Sequence, residues 1–135
     1  MPGLVADNDV DGQLEAIHNY FLSAAWKGLW EELGFSVAAF VTLGLSRETP
    51  DRVVWQTCQE RQLILVTGNR NNDGPDSLEA TLRDSNQLDS LPVITIARPK
   101  RVLERKEYLA RTAEKLLEYL MDLDRHRGAG RLYVP

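Results

Sequence analysis

The chain has 135 residues, 43% hydrophobic and 27% charged, with a net charge of -4. This describes one domain able to bury its own core, and it excludes a disordered or fibrous chain. The longest apolar stretches, residues 35–45 and 63–67, fall short of the ~20 residues that span a bilayer. No basic, apolar leader opens the chain, and a single cysteine, Cys58, makes no internal disulfide, so a cytoplasmic protein with no membrane association is expected.

Leu4-Val5-Ala6 predicts a short buried strand that runs into the loop Asp7-Asn8-Asp9. From Asp11, apolar residues from Leu14 to Leu33 recur at three- and four-residue spacings. They predict a helical stripe capped by Gly34, with a break into two helices expected at Gly28. Residues 35–41 predict a strand. Thr49-Pro50-Asp51 reads as a helix start, with Thr49 as cap, Pro50 in the first turn and Asp51 on the dipole; Val53, Val54 and Cys58 supply the buried face. Leu63 to Thr67 is the clearest strand, and a polar loop follows it at 68–75. Asp76 or Ser77 caps a helix over 78–83, residues 92–97 form a further strand, and a long last helix carries Leu109, Ala113, Leu116, Leu117, Leu120 and Leu123. The tail at 128–135 is expected to fray or dock late.

Alternating strands and helices of this kind predict an α/β fold. A single three-layer domain over 1–135 is expected, with a short, mainly parallel sheet covered by helices. Ligands of such sheets bind beyond the carboxyl ends of the strands, which selects the loops at 7–11 and 68–76. Asp7, Asp9 and Asp11 are close enough to repel, and hard cations such as Mg²⁺ or Mn²⁺ take one or two carboxylates plus water. Asp7 follows its strand directly and is the candidate ligand, whereas Asp11 reads as a helix cap. Asp51 joins the site only if it converges with Asp7. Asn69, Arg70 and Asp73 present polar groups to a metal or a phosphate, or serve only to turn the chain. Charge is uneven, at -8 over residues 1–94 and +4 over 95–135. The cluster Arg98, Lys100, Arg101, Arg105 and Lys106 is the candidate polyanion surface, or simply a solvated helix entry. His18 and His126 have no ligand-like spacing, and Cys58 reads as core.

The segments Leu4-Val5-Ala6-Asp7-Asn8-Asp9-Val10, Leu33-Gly34-Phe35-Ser36-Val37, Leu43-Gly44-Leu45, Pro50-Asp51-Arg52-Val53-Val54 and Gln62-Leu63-Ile64-Leu65-Val66-Thr67 carry a family pattern. Their order resembles the PIN-like superfamily, in particular the small proteins related to Mut7-C and to VapC-type toxins, over residues 4–97. The resemblance implies a PIN-like fold and a cytoplasmic, metal-dependent ribonuclease, with an antitoxin-like partner for a toxin-type member. By that likeness Asp7, Asp51, Asn69 and Asp73 are the catalytic set. Asp7, Asp9, Asp51 and Asp73 hold Mg²⁺ or Mn²⁺, and Thr67, Arg70, Lys100 and Arg101 hold RNA. The usual Thr-x-Asp loop reads Thr67-Gly68-Asn69 here, and a further acid is replaced by Asn71. A neutral amide is a weaker ligand than a carboxylate, so weak hydrolysis is expected.

Two other readings compete. One is an inactive PIN-like binding or regulatory module, favoured by Asn69 and Asn71. The other is a haloacid-dehalogenase-like phosphatase, suggested by Asp7-x-Asp9 and Val66-Thr67 but lacking a late strand-end pair of aspartates. A receiver-like regulator is weaker, since no strand ends in a central phosphoacceptor aspartate. The aromatic content of the first helical region predicts a homodimer through Trp26 or Trp30.

Overall fold

The computed structural model describes residues 2–68 and 77–135. Among these residues five strands form one all-parallel sheet: β1 (Gly3–Ala6), β2 (Ser36–Ala38), β3 (Leu63–Thr67), β4 (Val93–Ile96) and β5 (Arg131–Val134). Their order is β2-β1-β3-β4-β5. The helices are α1 (Asp11–Phe21), α2 (Lys27–Leu33), α3 (Asp51–Glu60), α4 (Leu78–Ser85), α5 (Pro99–Glu104), α6 (Lys106–Met121) and α7 (Leu123–His126). The expected α/β layering is therefore present, and the sheet is wholly parallel.

Strand alternation divides the core. Leu4, Ala6, Ile64, Val66, Ile94 and Ile96 point to the layer of α1, α2, α5 and α6. Val5, Leu63, Leu65 and Val93 point to α3 and α4. Both faces are apolar, so the strands read as continuous hydrophobic runs. The connection from β3 to β4 and that from β4 to β5 step in the same direction. They cross on opposite faces, through α4 and through α5–α7, and so have opposite hands. The first three connections share one hand, and the last departs from the near-universal rule.

Several boundaries differ from the sequence reading. The first helical region breaks at 22–26, not at Gly28, which lies inside α2. The break lets Trp30 fold back on Phe21, with ring centroids 4.8 Å apart, while Phe35 stacks on its other side at 6.2 Å. Gly34 ends α2 in the left-handed region as expected. Trp30 is 5% exposed and belongs to the core, so it is not available to the interface expected of it. Trp26 is half-buried against Tyr20. Residues 35–41 give only a three-residue strand followed by a 3-10 turn, Val41–Leu43. In α3 the buried face is Val54, Trp55 and Cys58, whereas Val53 is exposed. The tail docks as the edge strand β5 through Arg131, which pairs with Glu79 of α4 and donates to Thr95 Oγ1 at 2.5 Å.

Candidate functional site

The sheet order reverses about β1, whose two neighbours β2 and β3 are reached by connections on opposite faces. The crevice at such a reversal, beyond the strand carboxyl ends, is the favoured ligand position of open α/β sheets. Asp7 and Thr67 occupy it together. Asp7 directly follows β1, and its backbone N–H donates to Val66 O at 2.7 Å. Thr67 ends β3 with its side chain fully buried, and its hydroxyl donates to Asp7 Oδ2 at 2.9 Å. Asp7 Oδ1 accepts from the N–H of Asn8 at 2.8 Å and so caps the 3-10 turn Asn8–Val10. The capping assigned to Asp11 thus falls partly to Asp7; Asp11 opens α1 without a side-chain cap bond.

Burial pushes the Asp7 carboxyl above its ordinary range; the donors Thr67 and Asn8 oppose this, and the charge of Asp51 adds to it. Asp9 is also pushed up, first by burial and then by Asp7, while the N–H groups of Asp9 and Gly68 pull it down. A Cβ on Gly68 would lie 2.9 Å from Pro99 Cγ and 3.1 Å from Asp9 Oδ2, so glycine is required for this close approach. Asp51 opens α3, and its Oδ2 accepts from Leu78 N at 3.1 Å, joining the starts of α3 and α4. Thr49 does not cap α3; its Oγ1 accepts from Ser46 N at 2.9 Å, and Pro50 holds the cap position.

Asp7, Asp9 and Asp51 line one cavity of about 260 Å³, together with Asn8, Phe40, Ser46, Arg47, Thr49 and Val54. A second cavity of about 670 Å³ lies between α1 and α5, with Asp9, Gln13, Arg98, Lys100, Arg101 and Glu104 on its walls. Asp9 belongs to both. Gln13 ties the two helices by donating to Pro99 O at 3.2 Å.

The structure therefore brings together Asp7, Asp9, Asp51 and Thr67, and places Lys100 and Arg101 on the adjoining cavity. Asn69, Arg70, Asn71 and Asp73 lie outside the described residues. Among the described residues no three His, Cys, Asp or Glu side chains form a group tight enough to hold a metal ion. Asp7 and Asp9, with Asp51 facing the same cavity, still fit a hard cation that takes one or two carboxylates and keeps its waters. Cys58 is buried in the α3 layer, its thiol pushed up to about 12 mainly by desolvation, as suits a core residue. His18 lies against Trp30 and His126 against Tyr119. Asp122 and Asp124 belong to the start of α7 and to no strand end. Sequence reasoning missed Arg47, since Ser46-Arg47-Glu48 carries no motif. No family model, no curated protein and no solved structure matches this chain. No helix among the described residues is long and apolar enough to cross a membrane.

Proposed function

We propose that this protein is a metal-dependent phosphodiesterase of PIN-like type that acts on RNA. One observation carries the reading: Asp7, Asp9 and Asp51 line one small cavity at the sheet's reversal point, where burial and mutual repulsion raise Asp7 and Asp9. Carboxylates held in that state gain most from a divalent cation. Asp7 is the principal ligand, its two oxygens oriented by Thr67 and Asn8. Asp9 and Asp51 support it; Asp73, outside the described residues, is added to the set on its sequence position alone. Bound Mg²⁺ or Mn²⁺ supplies polarisation of the scissile phosphate and lowers the pKa of an attacking water. Lys100 and Arg101 hold the RNA backbone beside Asp9, assisted by Arg70. Hydrolysis is weak, because the Thr67-Gly68-Asn69 sequence carries an amide where the family it resembles carries a carboxylate. A toxin-type role would add an antitoxin-like partner, and any second copy docks through Trp26, not Trp30.

The test is Mn²⁺ calorimetry on the wild type, Asp7→Asn and Asn69→Asp, with hydrolysis of single-stranded RNA followed with and without chelator. Binding lost in Asp7→Asn and tightened in Asn69→Asp is expected. Equal affinity in all three overturns the reading and favours an inactive PIN-like binding module.

A further inference from the structure

Arg47 is a cation placed on the wall of a carboxylate cavity, and the turn that carries it is built. Gly44 reverses the chain in the left-handed region, and Leu45 is buried at 7% exposure in the core beneath α3. Ser46 N donates to Thr49 Oγ1 at 2.9 Å, and Thr49 N donates to Ser46 O at 3.1 Å. Arg47 lies inside that closed turn, next to Ser46 and Thr49 on the cavity wall with Asp7, Asp9 and Asp51. Its residue is exposed, and among the described residues it forms no ion pair with these carboxylates. An exposed guanidinium on the same cavity wall as three acids, paired to none of them, keeps its donors for another anion.

We infer that Arg47 is the phosphate clamp of this site. Its planar fork can donate two parallel N–H bonds to the non-bridging oxygens of a phosphodiester, a geometry that lysine cannot reproduce. Asp9 also lines the neighbouring cavity with Lys100 and Arg101. A polynucleotide backbone held by Arg47 in the first cavity and by those residues in the second therefore crosses the carboxylates between them. The inference deepens the phosphodiesterase reading and rests on it for the identity of the ligand.

The test is fluorescence anisotropy with a labelled eight-nucleotide single-stranded RNA in Mg²⁺, alongside Mn²⁺ calorimetry of the same proteins. Arg47→Ala weakens RNA binding by about tenfold, as expected for a charge-assisted bidentate contact, and lowers the salt dependence by about one phosphate. Arg47→Lys recovers the salt dependence but only part of the affinity. Mn²⁺ affinity is not weakened in either variant, which separates clamping from metal ligation. RNA affinity unchanged in Arg47→Ala, with Mn²⁺ still bound, overturns the clamp and leaves the phosphodiesterase reading standing. Arg47-dependent RNA binding with no Mn²⁺ site supports the clamp and overturns that reading. No RNA binding by the wild type overturns both.

Discussion

Replacing Thr67 by valine removes a hydroxyl and little else, and its cost should depend on pH. The hydroxyl is fully buried and donates to Asp7 Oδ2 at 2.9 Å. A hydrogen bond to a charged acceptor contributes about 1.5–3 kcal/mol. The valine methyl, buried in its place, returns about 0.8 kcal/mol. At pH 7, with Asp7 ionised and only half-buried, the net loss should be about 1–2 kcal/mol. In acid, Asp7 is protonated, the bond is an ordinary one of about 0.5–1.5 kcal/mol, and the loss should fall towards zero. The sign follows from linkage. Asp7 in the fold is raised above its unfolded value, so the fold keeps its proton longer. Stability from this group is lost as pH rises from the unfolded pKa of 3.8 through the folded one. Thr67 holds the carboxyl down, so Thr67→Val raises it further and steepens that loss. Urea denaturation from pH 3 to pH 8 measures it, with Thr67→Ser as a control whose cost is flat with pH. A Thr67→Val cost that is the same at both ends of the range refutes the clasp between Asp7 and Thr67.

Three further outcomes follow from the same geometry. Gly68→Ala forces a Cβ against Pro99 and Asp9, so it should weaken Mn²⁺ binding at least severalfold in calorimetry while circular dichroism stays native. Arg131→Met leaves Glu79 and Thr95 without a cation whose side chain is 7% exposed. It should cost about 2–3 kcal/mol in urea denaturation, below the 3–5 of a fully buried pair because Glu79 is 40% exposed, and Arg131→Met with Glu79→Met should recover about half of that. Trp30→Ala, which empties the stack between Phe21 and Phe35, should cost about 3–5 kcal/mol without changing the sedimentation coefficient of the folded protein.

The sequence made legible whatever depended on neighbours along the chain. Uninterrupted apolar runs marked β1 and β3, because both faces of those strands are covered. The strand-end rule then picked out Asp7, since nothing but the end of β1 precedes it. Features fixed by distant partners were hidden. Residues 131–134 read as part of a tail that frays or docks late, and they form a strand by pairing with β4, with Val134 buried in the core and Arg131 held by Glu79 and Thr95. Intrinsic propensity places the break in the first helical region at Gly28. The chain turns earlier, at 22–26, and Trp30 stacks on Phe21 across that turn, a contact between residues nine apart that local propensity does not register. Arg47 is the same case at the site. Nothing adjacent to it in sequence points to anion binding, and its position depends on the burial of Leu45 and the hydrogen bonds between Ser46 and Thr49. The strand-end rule therefore reaches Asp7 and its neighbour Asp9, whereas Asp51, at the start of α3, joins them only through the fold. The cation that completes the site is positioned by a turn after β2, the shortest strand of the sheet, where local pattern carries least information.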